Sequence, residues 1–236
     1  MITELTALNE AQQRQVQKQI QLHTRCVEPF IFNPIELGDG VSLDNVIVYP
    51  GVLWPMSSRR LAAFLYSNRA SLRGKTVIDM GCGCGLQGIT AGLSGAERVI
   101  LSDLTQEAYH NALDNVKRHK LTAKCEVRRG DLFEFIPETA DVIVFAQPYF
   151  AGKPDPALPF TFGMLDEGEL IHRFLDQARS HVEERIIMCH LDLAGDTNNP
   201  RVHAPKYGYK VVEHSRESLT TGEQQGVFSV QELILE

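Results

Sequence analysis

The chain has 236 residues, of which 43% are hydrophobic and 22% charged, and its formal net charge is −7. This length and composition suit one sizeable globular core, and the acidic balance disfavours a broad nucleic-acid interface, because clustered Lys and Arg supply phosphate contacts. No apolar run reaches the roughly 20 residues that span a bilayer, and the first residues lack the regions of a signal peptide. We therefore expect a cytoplasmic protein with no membrane partner; the sequence indicates no oligomeric state.

The cysteines are five in number and irregularly spaced, which argues against a disulfide framework. The one close pair, Cys82 and Cys84, lies in a glycine loop, and no two histidines have a ligand spacing such as HxxxH. We expect reduced thiols and no metal site.

The first fifty residues predict an extension to the main domain. Residues 4 to about 27 lack Pro and Gly, and their apolar residues recur with loosely helical spacing. These apolar residues are Leu5, Leu8, Val16 and Ile20. The β-like runs FIFNPIEL and VSLDNVIVYPG follow, separated by Gly38-Asp39-Gly40, and predict a hairpin. We expect an N-terminal helix and a short β hairpin over residues 1–50, and one domain over residues 51–236.

The next segments predict an α/β domain. Leu61, Phe64 and Leu65 recur at i, i+3 and i+4, which indicates a helix that Ser57-Ser58 can cap. The predicted strands that follow are KTVIDM, RVILSD, AKCEVRR, DVIVFA and ERIIMCHL, and the predicted helices cover about 86–94, 105–118 and 167–181. This alternation predicts a Rossmann-like, doubly wound, mostly parallel sheet. YKVVEHS and GVFSVQELILE predict an antiparallel C-terminal hairpin at one edge.

The segment VIDMGCGCGLQG, residues 77–88, runs from an apolar strand through Gly81, Gly83 and Gly85 into a helix. Such glycines let the backbone approach a ligand closely and permit a tight strand-to-helix turn. Gly83-x-Gly85-x-x-Gly88 also satisfies the dinucleotide fingerprint, so the glycine spacing alone does not separate a nicotinamide cofactor from S-adenosylmethionine.

Two carboxylates favour S-adenosylmethionine. Asp79 ends the strand two residues before Gly81, where it would repel a pyrophosphate but suits the α-ammonium of a methionine moiety, directly or through water. Asp103 ends the next strand, where a carboxylate can accept hydrogen bonds from both ribose hydroxyls. Asp103 can also cap the helix that begins near Thr105, and the two roles are compatible.

In chain order, the motifs VIDMGCGCGLQG, SD at 102–103, GDLFEF and DVIVFAQPYF resemble those of the class I, seven-strand S-adenosylmethionine-dependent methyltransferases, over roughly residues 50 to 190. The resemblance implies S-adenosylmethionine as the cofactor: the glycine loop would hold the methionyl part, the acidic residue after the second strand the ribose, and the one after the third strand the adenine amino group. The matching positions are Asp79, Gly81, Cys82, Gly83, Gly85, Asp103, Leu104, Asp131, Leu132 and Ala146.

The loop after the fourth predicted strand, AQPYFAGKPDPALPF, is stiffened by prolines and lies where a substrate is expected, beside the crevice of a parallel sheet. Its start resembles the Asn-Pro-Pro-Tyr signature of methyltransferases that act on planar nitrogens, with Ala146 and Gln147 replacing Asn-Pro. Ala146 cannot accept a hydrogen bond from the attacking nitrogen, whereas Gln147 can supply an amide and Tyr149 can stack on a planar group. Gln147 and Tyr149 are therefore the catalytic candidates.

Upstream, PGVLWPMSSRRLAAFL resembles the segment before the glycine loop in small-domain N-methyltransferases and in family 16 protein-lysine methyltransferases. That resemblance places Trp54 beside the cofactor and the substrate. The alternative is a core anchor between the N-terminal layer and the sheet. Family 16 enzymes carry Asp-x-x-Tyr after the fourth strand, and AQPY lacks that aspartate.

These inferences predict an S-adenosylmethionine-dependent N-methyltransferase that acts on a protein side chain or a small molecule. Three alternatives remain open. One is an RNA methyltransferase, which the acidic balance disfavours. Another is a non-catalytic S-adenosylmethionine-binding subunit of a partner enzyme, which the altered AQPY loop suggests. The last is a nicotinamide-dependent oxidoreductase, against which Asp79 argues.

Overall fold

The structure is a computed structural model that describes residues 8–221 and 224–236. The helices are α1 (Glu10–Thr24), α2 (Arg59–Ser67), α3 (Leu86–Leu93), α4 (Gln106–Arg118), α5 (Glu169–Ala178) and α6 (Pro200–His203). The short strands are β1 (Phe30–Ile31), β2 (Ile35–Gly38), β3 (Val41–Leu43), β4 (Ile47–Val48), β9 (Phe150–Ala151) and β10 (Leu165–Asp166). The main-sheet strands are β5 (Thr76–Met80), β6 (Arg98–Asp103), β7 (Cys125–Arg129), β8 (Ala140–Phe145), β11 (Val182–Leu191), β12 (Tyr209–Thr221) and β13 (Gln224–Leu235).

The main sheet has the strand order β12-β13-β11-β8-β5-β6-β7. The five strands from β11 to β7 are parallel, whereas β13 is antiparallel to β11 and to β12. The predicted doubly wound, mostly parallel sheet with an antiparallel C-terminal hairpin is therefore confirmed. From β5 the chain adds β6 and then β7 on one side, and it then crosses to β8 on the other side of β5. The switch point therefore lies between β5 and β8, and ligands bind at such points, outside the carboxyl ends of the strands.

The sheet is buried on both faces. Side chains alternate along a strand, so Val77 of β5 packs into the cluster that contains α2, α3 and α4, and Ile78 packs into the cluster that contains α5. Both side chains are fully buried. Burial on both faces explains why the central strands have continuous apolar sequences rather than alternating ones.

The N-terminal segment forms the predicted helix and hairpin. α1 begins at Glu10 because Asn9 and Gln12 form a reciprocal capping box, with Gln12 N donating to Asn9 Oδ1 (2.9 Å) and Asn9 N donating to Gln12 Oε1 (2.8 Å). The helix is thus shorter than the predicted stretch from residue 4 to 27, and Leu5 lies outside the described residues. β2 pairs antiparallel with β3 across Gly38-Asp39-Gly40.

Two buried asparagines of α4 attach the N-terminal strands to the main domain. Asn115 donates from Nδ2 to the carbonyls of Ile47 (2.7 Å) and Cys84 (2.8 Å) and accepts from Ile47 N (2.9 Å). Asn111 donates to Ile47 O (2.8 Å) and accepts from Tyr49 N (3.0 Å). These side chains satisfy backbone groups that no sheet partner satisfies, as buried polar groups require.

One local expectation is corrected. The Ser58 side chain makes no capping hydrogen bond to α2, because its backbone is already helical (φ −65°, ψ −15°) and does not have the extended geometry of a capping residue. The polar segment 194–209 contains α6, which starts with Asn199 accepting from Arg201 N. Among the described residues, no helix is long and apolar enough to cross a membrane.

Candidate active site

A cavity of about 290 Å³ opens at the carboxyl ends of β5, β6 and β8, at the switch point of the sheet. Its walls come from the loop before α2, the glycine loop, the ends of β6 and β8, the loop after β7, and the start of α5. Nine of the eleven predicted cofactor-binding residues line it: Trp54, Gly81, Cys82, Gly83, Asp103, Leu104, Asp131, Leu132 and Ala146. The structure thus brings together residues that are up to 92 positions apart, from Trp54 to Ala146.

The glycine loop is held in a conformation that side chains rarely adopt. Gly81 and Gly83 have φ values of 59° and 54°. A Cβ at Gly81 would lie 2.9 Å from the Phe145 ring, whereas a Cβ at Gly83 would have only Val52 within 4 Å. Gly83 therefore leaves open space over the loop, where a ligand can contact the backbone.

Asp103 lies at the end of β6 and organises this loop. Its Oδ2 accepts from Gly83 N (2.9 Å), and its Oδ1 accepts from both the backbone N–H and the hydroxyl of Thr105 (3.0 Å each). Burial raises the pKa of this carboxyl, and the hydrogen bonds from Thr105 and Gly83 oppose that shift. Thr105, not Asp103, is the capping residue of α4, so Asp103 supports the cap and also presents a carboxylate to the cavity.

Asp79 and Gly85 lie behind the cavity wall. The Asp79 carboxyl is 1% exposed, and its Oδ2 accepts from Gly88 N at the start of α3 (2.7 Å). Its Oδ1 has no hydrogen-bond partner among the described residues, and burial raises the pKa of this carboxyl to about 8. Gly85 precedes α3 and faces Leu101 and Ala112. The role of Asp79 and Gly85 as direct cofactor contacts stays a prediction.

Asp131 and Leu132 line the end of the cavity that follows β7, together with Leu104. Leu104 is 46% exposed, so this part of the cavity combines an uncovered apolar side chain with the carboxylate of Asp131. Asp131 accepts a hydrogen bond from Arg173 of α5, which also lines the cavity. Arg173 was not predicted as a site residue, because only the packing of α5 against the loop after β7 brings it there.

The catalytic candidates Gln147 and Tyr149 point away from the cavity, whereas Ala146 and Pro148 line it. Gln147 is 2% exposed and donates to Asn198 O (2.6 Å). The Tyr149 hydroxyl lies 3.0 Å from Cys189 Sγ, and burial raises its pKa well above the ordinary value. The period of two, typical of extended chain, places alternate residues on opposite sides. Applied to AQPY, this period puts Ala146 and Pro148 on one side and Gln147 and Tyr149 on the other. The catalytic role of Gln147 and Tyr149 stays a prediction.

The part of the cavity beyond Ala146, where the sequence predicts the substrate and which we call the acceptor side, is mostly apolar. Its lining residues are Leu53, Pro55, Pro148, Pro154, Pro159, Phe160, Phe162 and Leu165. Two carboxylates lie beside them. Asp166 accepts from the backbone N–H groups of Gly168 (2.9 Å) and Leu170, and Glu169 lines the cavity in the first turn of α5.

Burial favours the protonated form of the two thiols in the glycine loop. It raises the pKa of Cys84 to about 12 and that of Cys82 well above its ordinary value, which argues against reactive thiolates. All five cysteines are free. Within residues 8–221 and 224–236, no three His, Cys, Asp or Glu side chains are placed to hold a metal ion.

Comparison with known proteins connects this geometry to a family. Residues 63–146 match the family model described as ribosomal protein L11 methyltransferase (PrmA). The human electron transfer flavoprotein beta subunit lysine methyltransferase is 24% identical over 190 residues, covering 76% of this chain and 62% of its own length. The ribosomal protein L11 methyltransferase of Alkaliphilus metalliredigens is 42% identical over 69 residues, covering 29% of this chain and 22% of its own length. The chain thus spans less than two thirds of either relative.

The structure also superposes on the ribosomal protein L11 methylase from Lactobacillus delbrueckii subsp. bulgaricus, with a TM-score of 0.60 and 16% identity, over 87% of this chain and 100% of that chain. The chain thus resembles the class I methyltransferases in fold and, over residues 63–146, in sequence. The resemblance predicted from the glycine loop is confirmed. The family match ends at Ala146, so it covers the glycine loop and Asp103 but stops before the part of the cavity beyond Ala146.

Proposed function

We propose that the chain binds S-adenosylmethionine in the cavity and transfers its methyl group to a nitrogen of a protein side chain. The observation that carries the proposal is that nine predicted cofactor-binding residues line one cavity at the switch point of the sheet. The relatives support a protein acceptor, because their names describe methyltransferases of ribosomal protein L11 and of a flavoprotein subunit lysine. The region that the family model matches, residues 63–146, contains the glycine loop, Asp103 and Asp131, which belong to the proposed cofactor site.

The residues present fit this cofactor. Gly83 leaves room for a ligand against the loop backbone, and the Asp103 carboxylate stands where ribose hydroxyls can donate to it. Leu104 and Leu132 offer apolar contact for adenine. Arg173 contacts Asp131 through Oδ2, and Oδ1 can accept from the adenine amino group.

When bound, S-adenosylmethionine supplies a methyl group already activated on a sulfonium. The chain must then orient the two reactants and exclude water. Phe160, Phe162 and Leu53 form an apolar wall that desolvates an incoming amine, and desolvation favours its neutral, nucleophilic form. Glu169 beside this wall suits the approach of a cationic side chain such as lysine. No strong general base is needed, because an unprotonated amine attacks directly.

The first experiment is calorimetric titration with S-adenosylmethionine, S-adenosylhomocysteine and NAD. We expect both sulfur compounds to bind and NAD not to bind. Asp103→Ala is expected to weaken binding by roughly 10- to 150-fold, the equivalent of about 1.5–3 kcal/mol for a hydrogen bond to a charged group. Binding of NAD alone would refute the proposal.

The matched control is Asp141→Ala. Like Asp103, Asp141 is a carboxylate that accepts from a backbone N–H group, in this case that of Thr76 in β5 (2.8 Å). It lies at the opposite end of the sheet from the cavity. Asp141→Ala is expected to leave cofactor affinity unchanged, which separates loss of a ligand contact from general loosening of the sheet.

The acceptor is tested with methyl-labelled S-adenosylmethionine and two purified proteins, ribosomal protein L11 and the flavoprotein beta subunit. We expect label on lysine or another side-chain nitrogen of one of them, and none with Asp103→Ala at the same cofactor concentration. Cofactor binding without label on either protein would remove the acceptor part of the proposal and leave the cofactor part standing.

A further inference from the structure

Helix α1 packs against the acceptor side of the cavity. Val16 and Ile20 are buried in a cluster with Phe150, Phe160 and Leu165, and two of these, Phe160 and Leu165, also line the cavity. At the other end of the helix, Gln12 donates from Nε2 to Leu193 O (2.6 Å). The N-terminal helix therefore backs the cavity wall directly.

His23, in the last turn of α1, is the closest link between this helix and the cavity. Its side chain is 3% exposed. The ring lies 4.7 Å from the Trp54 ring and is stacked 5.1 Å from the Phe160 ring, measured between centroids. Trp54 and Phe160 both line the cavity, so His23 stands behind two adjacent parts of its wall.

The hydrogen bonds of His23 allow only one protonation state. Nδ1 lies 2.8 Å from Gln19 O, and Nε2 lies 3.1 Å from Trp54 N. A carbonyl only accepts and a backbone N–H only donates, so Nδ1 must carry the proton and Nε2 must be bare. A second proton on Nε2 would set two N–H groups against each other.

The surroundings offer no compensation for a charged ring. From α1 the ring faces the Gln19 carbonyl, from the loop before α2 it faces Trp54, and from the segment before β10 it faces Phe160. No charged side chain among the described residues perturbs its titration; burial lowers its pKa, and the hydrogen bond to Gln19 partly offsets that effect.

We propose that His23 is a positioning residue that tethers α1 to Trp54 and Phe160, and that protonation of its imidazole releases this wall of the cavity. The folded state holds the ring neutral, whereas the unfolded chain takes up a proton near the ordinary pKa of about 6.5. The tether is therefore fully stabilising above that pH, and its contribution is lost as the pH falls below it. The predicted effect on cofactor affinity rests on the proposed function; the tether itself does not.

The test uses the intrinsic fluorescence of Trp54, the only tryptophan of the chain. Emission of the full-length protein is followed from about pH 8 to about pH 5, spanning the histidine range, while far-UV circular dichroism monitors the fold. Affinity for S-adenosylhomocysteine is measured at the same pH values. We expect a change of emission on acidification and a several-fold loss of affinity.

Two variants assign the effect. In His23→Gln, the side-chain oxygen can still accept from Trp54 N but does not titrate, so emission and affinity should be flat over this range. His172→Gln is the control, because it removes a partly buried histidine of α5 that contacts Tyr207. Its emission and affinity should change with pH as those of the parent protein do. His23→Phe keeps an aromatic ring but no acceptor, and at pH 8 its emission should match that of the acidified parent.

The proposal is overturned if emission of the parent protein does not change with pH, or if the change persists in His23→Gln. It is also overturned if His23→Phe at pH 8 emits as the parent does at that pH. Failure of S-adenosylhomocysteine to bind at any pH would instead refute the proposed function, while the fluorescence still decides whether the tether exists.

Discussion

Replacing Gly88 by alanine isolates what the third fingerprint glycine does. Gly88 lies in α3 where the helix crosses β6, and a Cβ there would sit 2.6 Å from Cγ and Cδ2 of Leu101 and 3.1 Å from Asp79 Oδ2. Leu101 is fully buried and cannot swing away. Gly92, one turn along the same helix, would place its Cβ 3.2 Å from Cys125 Sγ, a far milder contact.

The two alanine variants share the gain in helix propensity, about 1 kcal/mol. Overpacking a well-filled core costs about 1–3 kcal/mol, and Gly88→Ala meets that cost in full, whereas Gly92→Ala requires a shift of only a few tenths of an ångström. We therefore expect Gly88→Ala to be less stable than Gly92→Ala by about 1–3 kcal/mol, because the difference cancels the shared propensity term.

Urea unfolding followed by circular dichroism measures the difference, with thermal midpoints as a check at about 2–4 °C per kcal/mol for a chain of this size. Gly88 does not line the cavity, so affinity for S-adenosylhomocysteine should be unchanged in both variants. Equal stability of the two variants would refute the packing argument. A loss of affinity at unchanged stability would show that Gly88 contacts the ligand, as in a dinucleotide fingerprint.

Two further predictions concern buried polar groups. Burial raises the pKa of Asp79 in the folded state to about 8. The protonated carboxyl therefore contributes its full stability below the ordinary carboxyl pKa, and this contribution is lost as the pH rises towards 8. Asp79→Asn cannot ionise, so between about pH 4 and 8 its free energy of unfolding should fall less than that of the parent protein, the difference exceeding about 1 kcal/mol; parallel pH profiles in urea unfolding would contradict this. Asn115→Ala removes the three hydrogen bonds of a fully buried side chain to Ile47 and Cys84 and should cost about 3 kcal/mol of stability. Asn68→Ala, which loses one exposed bond to Phe64 O, should cost less than about 0.5 kcal/mol. Equal losses in urea unfolding would mean that the hydrogen bonds of Asn115 add nothing.

A doubly wound, mostly parallel sheet and a site at its carboxyl edge could be predicted from the sequence, because they follow from local periodicity and from the rules of parallel sheets. An acidic residue at the end of β6 and glycines after β5 must converge at one edge, wherever the helices pack. This is why Asp103 and Gly83 are found together as expected. The resemblance to methyltransferase motifs, rather than this rule, indicated Asp131 and Leu132, and both line the cavity.

Contacts between distant segments could not be predicted in this way. Nothing local in the sequence marks His23, Asn115 or Arg173, because each acts on a residue that is 31 or more positions away, as in the contact of His23 with Trp54. The division at residue 50 also stays a prediction. Ile35 of β2 and Val77 of β5 share one hydrophobic cluster, so the extension and the sheet are packed as one core.

The packing of α1 has a consequence for the order in which the chain folds. Gln12 and Leu193 are 181 positions apart, and a ribosome synthesises the helix long before the segment it rests on. The parallel sheet can assemble as its strands emerge, but most of the apolar surface that α1 buries against belongs to residues 150–194. Loop closure over such a distance is slow. We therefore expect α1 to dock only after residues 150–194 have been made, and the cavity wall that contains Phe160 and Leu165 to be completed at that stage.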